Sequence, residues 1–331
     1  MAHLNGKRAE QEASHTRIIA SSQRCPPAGS LPACLQLPGN PGLPGFYRNY
    51  ANQLAEKLAD LVEAEGPGAR RRSWRISVHG LKGHTPRHRL GNPFQHFGVA
   101  DQIRHYEDVL ESERAASPEA KRIVIGHSIG CYFGLEALKS QPPGSVETYI
   151  GLMPFFEANA ANKNYRRMEF LLSFFWPLLY VFGVIADLVG RLPRPWQNRV
   201  MAGHTAKMDA YNADYTVGSM LSFGMICQYL HLGKTEFRNH KRPFDFAARF
   251  APWKGRSSLL YTDGDLWAPE SMCDRAKKSG VPVTFMAGVP HAFGVEGSSS
   301  EKMATWTFSQ LAAVVARVEG AAAASTEDTQ T

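Results

Sequence analysis

From residue 33 onward, short apolar runs alternate with stretches of helical spacing, the pattern of a mostly parallel sheet covered by helices on both faces. Strands are expected over residues 33–37, 74–78, 122–125, 147–152, 258–261 and 281–286, and helices over 46–62, 99–113, 131–140 and 301–318. Residues 38–45 must be irregular, because prolines and glycines dominate them. Between the strands ending at 152 and beginning at 258 lie about a hundred residues of mixed helical character without strand alternation. This stretch reads as an inserted cap over 153–256. One α/β domain over 31–318 is therefore expected, with a flexible leader at 1–30 and a flexible tail at 319–331.

Composition narrows the function classes. The chain has 331 residues, of which 44% are apolar and 20% charged, enough to build a sizeable core. Its net charge of +7 is spread along the sequence and accompanies no nucleic-acid-binding module, so no nucleic-acid partner is expected. Cys25, Cys34, Cys131, Cys227 and Cys273 are odd in number, widely spaced and without a C-x-x-C pair. They indicate neither a disulfide framework nor a zinc site. With no apolar signal core near Met1, a reducing cytosolic setting is the expectation.

One run inside the cap departs from ordinary soluble patterning. Residues 170–186 carry no charge over 17 positions and include Phe170, Phe174, Phe175, Trp176, Pro177, Leu178, Tyr180 and Phe182. A straight helix of that length spans about 26 Å, short of a hydrocarbon core of roughly 30 Å, and Pro177 interrupts it. Arg166 and Arg167 precede the run, and Arg191, Arg194 and Arg199 follow it. A kinked apolar segment with cationic flanks suits insertion into one leaflet, with arginines at headgroup phosphates. The same run also suits a lid helix buried over an apolar pocket.

Gly126-His127-Ser128-Ile129-Gly130 sits between an expected strand and an expected helix, the setting of a nucleophile elbow. The pentapeptide alone arises by chance in roughly one chain in ten of this size, so its context decides. In a serine hydrolase of this type the nucleophile is followed along the chain by an acid and then a histidine. Ser128, Asp265 and His291 satisfy that order. Asp263 is the other acid of its loop, but Asp265 lies further from the strand end. A serine hydroxyl needs a histidine to take its proton and a carboxylate to hold the imidazole in the useful tautomer. His127 is expected to pack or orient. The oxyanion hole needs two backbone N–H groups, and Ile129 supplies the first. Within the loop Pro38-Gly39-Asn40-Pro41-Gly42, Pro41 has no N–H, which points to Asn40 as the second donor. This chemistry calls for no metal and no organic cofactor.

Leu37-Pro38-Gly39-Asn40-Pro41-Gly42 followed by Phe46-Tyr47, the Gly126 to Gly130 elbow, Asp265-Leu266-Trp267 and Pro290-His291-Ala292-Phe293 together resemble the lipid droplet-associated hydrolases, a family of serine α/β-hydrolases. The resemblance implies a Ser128, Asp265 and His291 triad, an apolar targeting segment at 170–186, and residence at the surface of lipid droplets or the endoplasmic reticulum. It implies a lipid or sterol ester as substrate. One departure is Tyr106, where members tend to carry a lysine. A lipid-surface organising protein with weak catalysis, or a thioesterase or acyltransferase using the same serine, are the competing readings.

Overall fold

Ile123-Val124-Ile125 and Leu259-Leu260 are apolar at successive positions, a composition that suits strands buried on both faces. The computed structural model describes residues 15–20, 32–64, 74–84, 95–174 and 176–327. Seven strands form one sheet: β1 (His15–Ala20), β2 (Ala33–Leu37), β3 (Trp74–His79), β4 (Arg122–His127), β5 (Thr148–Leu152), β6 (Ser257–Tyr261) and β7 (Val283–Phe285). They lie in the order β1-β3-β2-β4-β5-β6-β7. β1 runs antiparallel to β3, and the other pairs are parallel. Every residue of β2, β4 and β5 is buried, so layers cover both sides of the sheet.

The covering helices are α1 (Arg48–Ala64), α2 (Val99–Ala116), α3 (Ile129–Ala137), α10 (Glu270–Lys278) and α11 (Gly297–Glu327). The Tyr50 hydroxyl of α1 donates to Thr307 Oγ1 of α11 at 3.0 Å inside the core. Tyr106 of α2 is fully buried and donates to the His79 carbonyl at the end of β3, at 3.0 Å. At this position a phenol reaches the strand end, where a lysine would carry a charge into the core. Between β5 and β6 stand six helices: α4 (Lys163–Phe174), α5 (Trp176–Gly190), α6 (Arg194–Thr205), α7 (Ala210–Met220), α8 (Phe223–Asn239) and α9 (Phe246–Phe250).

Register sets the site. Leu37 pairs with Gly126, and His127 pairs with Leu152, so the loops leaving β2, β4 and β5 emerge side by side. Tyr261 pairs with Phe285, which brings the Asp265 and His291 loops together beyond β6 and β7. Carboxyl ends of parallel strands are where open α/β sheets bind ligands.

The ends of the chain differ from the expected leader and tail. Residues 15–20 form β1, because Thr16, Ile18 and Ile19 are β-branched and the free edge of β3 offers a ladder from His15↔His79 to Ala20↔Trp74. The closing helix continues to Glu327, since Ala321 to Ala324 are strong helix formers and nothing before Glu327 breaks the turn. Residues 1–14 and 21–30 of the expected leader and 328–331 of the expected tail lie outside the described residues.

Candidate active site

Ser128 occupies the turn between β4 and α3 with φ 54° and ψ −126°, a conformation that side chains other than glycine rarely adopt. The turn is tight enough to exclude a Cβ on either side. One added at Gly126 would lie 2.5 Å from Cys131 Cα, and one at Gly130 would lie 2.4 Å from the carbonyl oxygens of Leu37 and Pro38. Backbone bonds fix the turn: Ser128 N–H donates to Leu152 O at 3.0 Å, while Ser128 O accepts from Cys131 N and Phe155 N, both at 3.1 Å. The serine side chain does not cap α3. Its hydroxyl is left for other work.

That hydroxyl meets His291. Ser128 Oγ lies 2.8 Å from His291 Nε2, and His291 Nδ1 lies 2.7 Å from Asp265 Oδ2. The other Asp265 oxygen accepts from the N–H groups of Trp267 at 2.8 Å and Ala268 at 3.1 Å. Burial pushes the Asp265 carboxyl up, but the His291 ring and those N–H donors outweigh it and hold the group below the usual carboxylate range. Asp263 turns the other way and accepts from Gly288 N at 2.6 Å, buttressing the loop that carries His291. Thr262 adds a bond from its hydroxyl to Val289 O at 2.7 Å. A proton on Ser128 can therefore pass to an imidazole whose far side is fixed by a carboxylate.

His127 proves to be a joint between three loops. The Gly39 N–H donates to the Tyr47 hydroxyl at 3.0 Å, the Tyr47 hydroxyl donates to His127 Nδ1 at 2.6 Å, and His127 Nε2 donates to the His291 carbonyl at 2.9 Å. Burial, reinforced by His291, lowers the His127 ring to about 3, so it stays neutral in the tautomer this chain requires. Tyr47 has only a weak sequence signal, because an aromatic inside a helical run usually reads as core.

Asn40 and Ile129 flank Ser128. A Cβ at Gly39 would stand 2.7 Å from Ser128 Cβ, so the Pro38 to Gly42 loop lies directly against the nucleophile candidate. The Asn40–Pro41 peptide is cis, and the Asn40 side chain donates to Tyr229 O of α8 at 3.1 Å. Ile129 opens α3, where the first N–H groups of a helix have no partner within it and face the positive end of the helix dipole. Developing negative charge beside Ser128 would meet that end.

The apolar run 170–186 is divided between α4 and α5. Phe175 lies outside the described residues, as do the side chains of Trp176, Pro177 and Leu178. Phe170, Phe174 (74% exposed) and Phe182 face outward, together with Val181, Val184, Ile185 and Leu188. Trp196 and Val200 of α6 continue the exposed apolar surface. Tyr180 is half-buried and stacks on Phe223 of α8. Gly183 and Ala186 let α5 approach α8, since a Cβ at Gly183 would lie 2.7 Å from Cys227 Sγ. The helix thus covers part of the cap with one side and exposes large apolar residues on the other. Arg191 and Arg194 are ion-paired with Asp187 and Asp214, whereas Arg166, Arg167 and Arg199 are exposed. No described helix is long and apolar enough to cross a membrane.

Comparison with known proteins agrees with this architecture. Residues 31–294 match the family model described as lipid-droplet associated hydrolase. A lipid droplet-associated hydrolase of Mus musculus is 26% identical over 285 residues, covering 81% of either chain. One of Gallus gallus is 23% identical over 284 residues, covering 79% of either chain. Among solved structures, a peroxisomal alpha-beta-hydrolase of Saccharomyces cerevisiae superposes with a TM-score of 0.56 at 13% identity, covering 89% of this chain and 88% of that one. The fold is that of the α/β-hydrolases, and the chain belongs to the lipid-droplet associated hydrolase family.

Proposed function

We propose that the protein is a serine hydrolase that cleaves hydrophobic carboxylic esters at a lipid droplet or endoplasmic reticulum surface. Ser128 attacks the ester carbonyl while His291 accepts its proton, and Asp265 stabilises the resulting imidazolium. The N–H groups of Asn40 and Ile129 receive the oxyanion, each typically worth about 3 to 4 kcal/mol. His291 then protonates the departing alcohol, and water activated by the same ring releases the acid from Ser128. Support comes above all from the continuous relay Ser128 Oγ, His291 Nε2, His291 Nδ1 and Asp265 Oδ2, with contacts of 2.8 and 2.7 Å.

The lipid surface is the second half of the proposal. Phe170, Phe174, Phe182 and Leu188 form an apolar outer face on a cap whose inner helices reach the Asn40 loop. Entry of such a face into the headgroup layer would bring lipid esters to the site without a spanning helix. Hydrolysis of p-nitrophenyl palmitate in mixed micelles tests the chemistry. The wild-type protein should release nitrophenolate, and Ser128→Ala should lose at least about a thousandfold in rate. Equal rates would remove Ser128 from the reaction. No release by either protein, with lipid binding retained, would favour the organising-protein reading, which rests on the same apolar face.

A further inference from the structure

Four buried polar atoms on the cap side of Ser128 have no hydrogen-bond partner among the described residues: Asn40 Oδ1, Glu236 Oε1, His240 Nε2 and the Tyr165 hydroxyl. They share one neighbourhood. A Cβ at Gly233 of α8 would lie 3.8 Å from the Asn40 amide, and Glu236 and His240 follow on that helix and at its C-terminal cap. His240 Nδ1 donates to the Glu236 carbonyl at 2.9 Å, and Tyr165 lies within electrostatic reach of the Glu236 carboxyl. Phe155 stacks on the His240 ring at 5.1 Å and meets Trp267 edge-on at 5.5 Å. Trp267 in turn approaches Tyr165 at 5.9 Å and His291 at 6.4 Å. An aromatic wall therefore runs from the orphaned atoms to the imidazole beside Ser128.

We propose that Asn40, Tyr165, Glu236 and His240 form a subsite for a hydroxyl group carried by the ester substrate, a specificity that rests on the serine-hydrolase reading above. The donor and acceptor inventory selects the hydroxyl. Asn40 Oδ1 can only accept. His240 uses its Nδ1 hydrogen on a carbonyl, and burial lowers the ring to about 4, so Nε2 is a bare acceptor. Burial pushes the Glu236 carboxyl up to about 8 against the opposing pull of the Asn40 amide, so near neutrality this acid can donate as well as accept. Tyr165 can do either. A hydroxyl donates its one hydrogen to one of the two obligate acceptors and accepts from Tyr165 or Glu236, which leaves the hydrogen of the remaining donor for the other acceptor. A ketone cannot satisfy the acceptors, and a plain hydrocarbon chain would leave all four atoms unpaired, at about 1–3 kcal/mol each.

Two pairs of esters test the subsite and locate the hydroxyl. Glycerol monooleate against propyl oleate places it on the alcohol side, and propyl ricinoleate against propyl oleate places it on the acyl side. Rates are measured in micelles of one detergent at equal surface fraction, with fluorophosphonate labelling of the same preparation. The hydroxyl-bearing ester of at least one pair should be preferred by about tenfold or more in kcat/KM, the discrimination a single buried hydrogen bond supports. Tyr165→Phe and Glu236→Met should bring that ratio towards one. Tyr165→Phe removes only an unpartnered hydroxyl, and Glu236→Met also removes the pull of the Asn40 amide, so Tyr165→Phe is the variant that breaks no existing bond of the fold. Hydrolysis of all three esters without preference means the orphaned atoms hold water only and overturns the subsite. A preference unchanged in both variants overturns its assignment to these residues. Absence of both labelling and hydrolysis overturns the serine-hydrolase reading, and the subsite with it.

Discussion

Ser128 holds its left-handed backbone because the turn is pinned from three directions, by Leu152, Cys131 and Phe155. The joint built from Gly39, Tyr47, His127 and His291 aligns the rest of the site around it. Tyr47→Phe would leave the Gly39 N–H and His127 Nδ1 unpaired in a buried place, a loss of about 1–3 kcal/mol. A fall of roughly ten- to a hundredfold in kcat with little change in KM is expected, read by steady-state kinetics on a micellar ester. An unchanged kcat would mean that the joint does not position the reacting groups. That Ser128, Asp265 and His291 meet was legible in the sequence, because the chain order of such sites constrains all three and the glycines at 126 and 130 mark the turn at Ser128. Tyr47 and Glu236 were not, since one resembles a core aromatic and the other an ordinary helix acid. Their roles come from partners 80 and 196 positions away, His127 and Asn40.

At the scale of elements, α5 is two-sided. Its small residues Gly183 and Ala186 pack inward, while Val181, Phe182, Val184, Ile185 and Leu188 point out. Because the outward residues are already exposed, replacing them changes stability little, by about 0.5 kcal/mol or less each. Phe174→Glu, Phe182→Glu and Leu188→Glu combined should abolish flotation with artificial lipid droplets and leave the thermal unfolding midpoint close to wild type. Retained flotation would refute a lipid-contact role for this face. Periodicity located most strands to within two residues, because β-branched runs between turn residues have few alternatives. It missed β1, which depends on the open edge of β3, whereas the interruption of 170–186 expected at Pro177 falls where α4 ends and α5 begins.

Over the whole molecule, the sheet holds the loops after β2, β4, β5, β6 and β7 at the carboxyl ends of its parallel strands, and α8 meets the first of them where Asn40 donates to Tyr229 O. On that helix Glu236 is the point where protonation is coupled to folding. Its carboxyl is raised from an ordinary 4.5 to about 8 by burial, so between those pH values the folded chain keeps a proton that the unfolded chain has released. Stability from this group therefore falls as pH rises across the window. Glu236→Gln removes the dependence, and its stability relative to wild type should grow from pH 5 to pH 8 by roughly 3 kcal/mol, measured by urea unfolding. A constant difference would mean that Glu236 is ionised in the folded protein. At the carboxyl end of β4, the proposed chemistry requires the Ser128 hydroxyl to be a nucleophile activated by His291. A fluorophosphonate probe followed by peptide mass mapping tests it most directly. One adduct is expected, on Ser128, with labelling lost in Ser128→Ala and slowed at least about a hundredfold in His291→Ala. No adduct on the folded wild-type protein, or labelling that persists in Ser128→Ala, would contradict it.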